Sequence, residues 1–269
     1  VILPSLYEDF FVTAISTIEE IAMANGYTVF IGQSNDDVER EKHIADTMRR
    51  HRVDGIIVSL AKSTKNYDHF EQLSKFKIPV VFFDRIPGGE QFNTVSCNLS
   101  KSSEELVDWL VKQGRKRIAF IKGPDAILHS NQRLEGYLAG LQNHKIKIDN
   151  VLMVSTDLTS EKTKEAIQKL LALKNPPDAI ISFNDYVALD AIKFAREEGV
   201  KINKDIFFVS YANLPITSYM QNPPVASVEQ FPTLQAEKAV ELLLGQINQD
   251  AEERKPQRIV LESRVVVNS

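Results

Sequence analysis

The stretch "AIISFNDYVALDAI", residues 179–192, holds the fold in one junction. Ala179 to Ile181, with Phe183 beyond Ser182, make a short apolar run of buried-strand length. Asn184 and Asp185 follow, and Val187, Leu189, Ala191 and Ile192 then take up a helical pattern. A strand feeding a helix across two polar residues is one unit of an α/β sheet. Asn184 has two readings here. It is a helix cap, accepting a backbone N–H that the first turn leaves unpaired. Or it is a ligand contact, because crevices of open α/β sheets lie at the carboxyl ends of strands. The junction alone leaves both open.

The same unit recurs along the chain. A helical stretch from Asp9 to Asn25 carries Phe11, Ile15, Ile18 and Ala22 on one face, with Gly26 as its stop, and leads to "YTVFIGQ" (27–33). "GIIVSL" (55–60) follows a charged helix from Asp37 to Arg50, and "IPVVFFD" (78–84) follows a helix carrying Phe70, Leu73 and Phe76. "RIAFIKG" (117–123), "NVLMVS" (150–155), "DAIISF" (178–183) and "DIFFVSY" (205–211) repeat the pattern. Runs this continuously apolar belong to parallel strands covered by helices on both faces. The fold class is therefore α/β with parallel sheets.

Two interruptions divide the repeat. "RIPGGEQF" (85–92) is rich in turn residues and leads to a short strand, "NTVSCN" (93–98), before a new helix near Ser100 with Trp109 and Leu110 on its apolar side. After residues 209–231 one more helix, Leu234 to Ile247, precedes the terminal strand pair "RIVLESRVVV" (258–267). Two βαβ halves are expected, one on each side of Asn98. The late helix returns to the first half and the last strands join the second, which puts crossings near Asn98, Val228 and Ala251.

Composition bounds the function. The chain has 269 residues, 43% hydrophobic and 25% charged, as soluble globular proteins do. No apolar run approaches the roughly 18 residues of a membrane span, so no membrane partner is expected. One cysteine, Cys97, precludes an internal disulfide and favours a reducing compartment. The net charge of −4 argues against this segment gripping a nucleic-acid backbone by itself. The chain opens on "VILPS" without Met, as if its first strand were under way. A signal peptide, a leading domain or the first residues of that strand are expected before it. There is no G-x-G-x-x-G, P-loop, G-x-S-x-G or clustered His/Cys spacing, so no catalytic residue, metal site or cofactor is expected. The histidines (His43, His51, His69, His129, His144) lie mostly in charged helical stretches and are expected at the surface.

The residues that stand where strands stop are chemically assorted. Ser5, Tyr7, Glu8, Asp9, Phe10 and Phe11 follow the first strand, Asp84 and Arg85 the fourth. Arg133 lies early in the helix after "RIAFIKG"; "TDLTS" follows "NVLMVS"; Asn184 and Asp185, then Ala212 and Asn213, end the next two strands; Gln230 lies near a crossing. Aromatic faces, carboxylates, amides and a guanidinium together suit a small polar ligand. Each has a plainer reading: Asp84 and Arg85 as a local ion pair, Phe10 or Phe11 as core, Arg133 as a solvated charge, Gln230 as a hinge residue.

"RVDGIIVSL", "IPVVFFDR", "GRKRIAFIKGP", "QRLEGYLAGL", "FNDYVALDAI" and "SVEQFPTLQAEKAVELLL" occur in the order usual for the lactose-repressor (LacI/GalR) family. Over nearly its whole length the chain resembles the effector-binding core of those bacterial transcription regulators. The resemblance implies a periplasmic-binding-protein-like type I fold, with two Rossmann-like subdomains joined by three crossover strands: residues 1–98 with 229–251, and 99–228 with 252–269. It implies a cytoplasmic homodimer that binds a sugar or related metabolite between the subdomains. Operator DNA would be held through a helix-turn-helix headpiece that this chain lacks. By the same resemblance, Glu8, Phe10, Phe11, Asp84, Arg133, Leu158, Asn184 and Gln230 contact the ligand, with Tyr7 and Asn213 beside them. Arg133 corresponds to an arginine that bonds ligand oxygens bidentately. Leu158 stands where an aromatic commonly stacks. The chain departs from the family in having Glu8 for a common Asn, Cys97 for Asp before Asn98, and Ala212 for an Asp that holds sugar hydroxyls. Asn213 or Glu8 is left to take that role. The competing reading with the same fold is a periplasmic solute-binding protein for a sugar transporter.

Overall fold

The apolar runs of the sequence form ladders that are parallel in all pairs but one. The computed structural model describes residues 1–268, which form two compact units. Unit 1 is Val1–Cys97 with Phe231–Glu262, and unit 2 is Asn98–Gln230 with the chain from Ser263 onward.

Unit 1 holds β1 (Ile2–Leu3), β2 (Gly32–Gln33), β3 (Ile56–Val58), β4 (Val80–Phe83) and β5 (Asn93–Cys97). Its helices are α1 (Asp9–Ala24), α2 (Val38–Arg50) and the one-turn α3 (Asp68–Glu71). Unit 2 holds α4 (Leu99–Lys112), β6 (Ile118–Lys122), α5 (Leu128–Asn143), β7 (Met153–Ser155), α6 (Ser160–Leu171), β8 (Ala179–Ile181), α7 (Asp185–Glu197), β9 (Phe207–Tyr211) and β10 (Ala226–Glu229). The chain then returns to unit 1 for α8 (Pro232–Ile247) and β11 (Arg258–Leu261), and ends in unit 2 as β12 (Arg264–Val267).

The two sheets repeat one strand order. Sheet 1 runs β11-β5-β4-β3-β1-β2 and sheet 2 runs β12-β10-β9-β8-β6-β7. Every pair in sheet 1 is parallel; in sheet 2 only β12 is antiparallel to its neighbour. In both, the order reverses at the first strand of the unit, which is where ligands of open α/β sheets lie, outside the carboxyl ends.

The last return differs from the expected one. Arg258–Leu261 pairs in parallel with Thr94–Cys97, whereas Arg264–Val267 pairs antiparallel with Ala226–Glu229. The terminal run is thus not a hairpin that joins unit 2. It is two strands in two sheets, and the change of unit falls at Glu262 and Ser263 rather than at Ala251. A contiguous apolar run cannot announce such a split, because both halves alternate alike.

The expected "YTVFIGQ" strand also shrinks. Only Gly32 and Gln33 find a ladder, because β1 offers two residues to pair, and Phe30 and Ile31 are exposed. The expected helix through Phe76 breaks at Gln72 into a 3₁₀ turn that leaves Phe76 exposed.

The cores follow helical spacing. Phe10, Phe11, Ala14 and Ile18 of α1 pack with Leu3, Ile57, Val81, Phe83 and Ala236 in unit 1. Ala119, Ile121, Ile167, Ile180, Phe183 and Phe208 anchor the unit 2 core. α4 and α5 lie unusually close, and the sequence "EGYLAGL" explains why. A Cβ on Gly136 would overlap the Ser100 carbonyl oxygen, and one on Gly140 would lie 2.7 Å from Val107 Cβ. Gly136→Ala should cost about 1–3 kcal/mol or more by overpacking, read as a lower urea midpoint at unchanged m-value.

Candidate functional site

The strand-end loops are where backbone strain collects. Among non-glycine residues with positive φ, Arg52, Lys77 and Lys145 follow helical segments, the ordinary left-handed stop. Asn35, Asp36, Asp84, Leu158, Ala212, Asn213 and Phe231 instead follow the carboxyl ends of strands. Leu, Ala and Phe take positive φ only at a cost and only where surrounding structure imposes it. Such strain is characteristic of ligand-binding loops.

In unit 2 these loops are tied by one carboxylate. Asp185, the first residue of α7, is fully buried and accepts from the hydroxyls of Ser210 and Ser227 and from the backbone N–H of Leu214. The bond from Ser227 is 2.8 Å and that from Leu214 is 2.6 Å. Burial pushes the carboxyl above its usual range, against the pull of those three donors. The start of α7 is thereby pinned to β9, β10 and the loop between them. The sequence reading placed Asp185 at this strand end but did not give it these partners. The available signal was Ser210 and Ser227, hydroxyls inside apolar strands that need a partner; they lie side by side in the ladder.

Around that anchor the structure gathers four of the expected contacts. Asn184 Oδ1 accepts the Val187 N–H at 2.9 Å, so it does cap α7. Its Nδ2 makes no hydrogen bond among the described residues, so the cap occupies one end of the amide only. Arg133 is 3% exposed, not a solvated charge. Its Nη1 donates to the Phe183 carbonyl at 2.6 Å and its Nη2 to Gln230 Oε1 at 3.0 Å. The rings of Phe183 and Tyr211 lie 4.4 and 4.3 Å from its guanidinium carbon. Burial lifts the Tyr211 hydroxyl to about 12 even beside that cation. Asn213 donates its side-chain N–H to Glu229 at 2.8 Å and its backbone N–H to Ser227 at 2.9 Å. Leu158 is half-buried after β7 and packs against the apolar core that includes Phe183.

In unit 1, Arg85 is the centre. It is 7% exposed, its Nη1 lies 2.6 Å from Asp36, and its Nη2 lies 3.5 Å from Glu8. Its guanidinium sits 5.6 Å from the Phe11 ring centroid. Burial opposes its charge, but Asp36, Glu8 and Asp84 hold its pKa above the ordinary value. Arg85 pairs with Asp36 and Glu8 from other loops, and the adjacent Asp84 also favours its charge. The Asp84 backbone N–H meets Val95 O at 3.1 Å and Gln235 Oε1 at 3.2 Å, which fixes its left-handed turn. Phe10 and Phe11 are both core residues, in edge-to-face contact with each other. Tyr7 is 86% exposed and makes no such contact.

The histidine expectation fails at two places. His69 lies 3.1 Å from the buried Glu41 carboxylate, and His129 is buried. Glu41 also accepts from Ala61 N–H and the Thr64 hydroxyl, clasping the loop after β3. No cluster of three or more candidate metal ligands occurs among the described residues, and none of their helices is long and apolar enough to cross a membrane.

A family model described as a periplasmic binding protein domain matches residues 1–251. The chain belongs to that family. Its two similarly ordered sheets are those of the type I periplasmic-binding-protein-like fold, and its relatives are LacI-family repressors. The HTH-type transcriptional repressor CytR of Escherichia coli K12 is 29% identical over 247 residues, 92% of this chain and 72% of that protein. The crystal structure of the transcription regulator CcpA of Lactococcus lactis superposes with a TM-score of 0.88 at 26% identity, over 98% of this chain and 95% of that one. A periplasmic binding protein/LacI transcriptional regulator from Alkaliphilus metalliredigens, solved with D-xylulofuranose, gives 0.84 at 26% identity, over 98% and 96%. The helix-turn-helix headpiece lies outside the matched region.

Two outcomes follow from the anchors of this periplasmic binding protein domain. Asp185→Ala removes the buried acceptor of two hydroxyls and a backbone N–H. It should cost at least about 3 kcal/mol in urea denaturation, since each such group costs roughly 1–3 kcal/mol. Burial raises the Glu8 carboxyl, against the pull of Arg85. A carboxyl with a raised folded pKa gives its stabilisation fully below its unfolded value and loses it as pH rises through the folded value. Glu8→Gln should therefore melt no lower than the parent at pH 7, with any advantage shrinking as pH falls toward about 4. A lower melt at pH 7 would mean that the Arg85 pairing outweighs burial.

Proposed function

We propose that this chain is the effector-binding core of a LacI-type transcription regulator and that its strand-end loops bind a small polar metabolite, a sugar or sugar-like compound. The observation that carries the reading is the gathering of Asn184, Asn213 and Gln230 at strand carboxyl ends, with Arg133 reaching Gln230 from α5. The repressor relatives aligned over most of the chain support a regulator rather than a transport receptor. The regulator with bound D-xylulofuranose supports a sugar-like ligand. In this reading Asn184 offers its Nδ2 to the ligand, Arg133 and Gln230 exchange their mutual bond for ligand oxygens, and Glu8 and Asp84 accept from hydroxyls. Tyr7, Phe10, Phe11 and Leu158 supply apolar surface.

The protein acts as a cytoplasmic homodimer, contacts operator DNA through a headpiece outside this chain, and catalyses no reaction. Ligand shifts operator affinity only by its differential affinity for the two conformations of the protein.

Thermal-shift screening against sugars, nucleosides and sugar acids should find a stabilising ligand, with calorimetry giving its affinity. Asn184→Ala should lower that affinity and cost about 1 kcal/mol of stability through the lost cap. Arg133→Ala should abolish binding and also destabilise, because a buried, doubly bonded guanidinium is lost. Unchanged affinity in a folded Asn184→Ala protein would reduce that amide to a cap. Sedimentation of the full-length protein as a monomer would count against the regulator.

A further inference from the structure

Two side-chain amides at the strand ends of unit 2 are held in opposite senses by their own chain. An amide donates at one end and accepts at the other, so the end that is bonded internally fixes what the other end offers. Asn184 uses its acceptor: Oδ1 takes the Val187 N–H at 2.9 Å, and Nδ2 makes no hydrogen bond among the described residues. Asn213 uses its donor: Nδ2 gives to Glu229 Oε2 at 2.8 Å, and Oδ1 accepts no hydrogen bond among them. A carboxylate accepts and does not donate, so the Asn213 amide cannot turn round without setting oxygen against oxygen.

Both asparagines belong to the network of Asp185. The Asn213 backbone N–H goes to Ser227 Oγ at 2.9 Å, and that hydroxyl goes on to Asp185 Oδ1 at 2.8 Å. The Leu214 N–H reaches Oδ2 of the same carboxylate at 2.6 Å. Asp185 adjoins Asn184 in the chain, so one buried side chain links the two amides. Ala212 and Asn213 are both left-handed, and the Ala212 N–H is fixed on Val228 O at 2.9 Å. Glu229 ends β10, half-buried, in register with Arg264 of β12. Besides burial, its charge raises the Asp185 carboxyl, which places the two carboxylates near one another.

We propose that Glu229 is a positioning residue that sets ligand specificity in unit 2, by holding the Asn213 amide so that its carbonyl oxygen is what the ligand meets. The inference rests on the small-ligand reading above and sharpens it. These loops offer a donor at Asn184 and an acceptor at Asn213. The ligand therefore brings an acceptor to the first and a hydroxyl or N–H to the second. Neighbouring hydroxyls meet both, since each donates and accepts. An ether oxygen at Asn213 would leave two acceptors in contact, and a site built around a hydrogen bond rejects a group that cannot make it.

Calorimetry and amide NMR of this chain with D-xylulose, D-ribose, adenosine and cytidine test it. With whichever compound binds, the Asn184 Nδ2 resonances should shift on saturation, while those of Asn213 keep the position that the Glu229 bond gives them. Glu229→Lys puts a donor where the acceptor was, so the Asn213 amide turns over and affinity should fall at least about tenfold. Adding Asn213→Asp gives the lysine one carboxylate oxygen and the ligand the other, and should recover most of that loss. Asn184→Asp keeps the cap, because Asp caps as well as Asn, but replaces the donor. Its urea midpoint should hold while affinity falls at least about tenfold. Asn213 Nδ2 resonances that move with the ligand as far as those of Asn184 overturn the proposal and leave the small-ligand reading intact. Unchanged affinity in a folded Glu229→Lys protein does the same, as does a double variant no better than Glu229→Lys alone. Where Glu229→Lys does not fold, the resonances of the parent decide. If neither these compounds nor the other sugars, nucleosides and sugar acids bind at millimolar concentration, the small-ligand reading falls and this proposal with it.

Discussion

The carboxylate of Asp185 is the constraint on which the strand-end architecture of unit 2 depends. It stands at the first turn of α7, fully buried, and three donors from β9, β10 and the loop between them converge on it. Burying a carboxylate is unfavourable unless its lone pairs are met, and here three are. The chain thereby fixes the exits of β8, β9 and β10 relative to one another. Asn184, Asn213 and Gln230 sit on those exits, and Arg133 reaches them from α5. Positioning by a buried network of this kind is what a binding loop needs, because every polar atom left unpaired would cost as much as the network gains.

Unit 1 solves the same problem with two networks. Glu41 clasps the loop after β3 through Ala61, Thr64 and His69. Arg85 gathers Asp36 and Glu8 from the loops after β2 and β1. In both units, charge is buried close to the strand ends and is compensated by groups from loops distant in sequence. The left-handed residues Asp84, Leu158, Ala212 and Phe231 are the backbone counterpart of this arrangement. They are held in costly conformations by the ladders and hydrogen bonds on either side.

The internal likeness of the two units gives the charge distribution its meaning. Identical strand orders put equivalent loops at equivalent edges, but the loops differ in chemistry. Unit 1 carries an arginine neutralised by carboxylates, whereas the Arg133 guanidinium of unit 2 is bonded to a carbonyl and an amide and flanked by two rings. The first environment rewards hydrogen-bond donors. The second supplies apolar faces and amides.

The sequence by itself determined the α/β class, the parallel ladders and most helix limits, because periodicity and apolar runs are local properties of the chain. It also carried the family's motifs, and with them the identity of Arg133, Asn184 and Gln230 as residues of interest. Only the tertiary structure decided that "RIVLESRVVV" divides between two sheets, since both halves alternate alike and pairing partners lie far away in the chain. It alone decided that Arg133 is buried, that Arg85 draws Asp36 and Glu8 from other loops, and that Asp185, not Asn184, carries the junction. Those are choices of partner across tens to hundreds of residues. A charge written in a sequence states what it needs, and only the folded chain states which group supplies it.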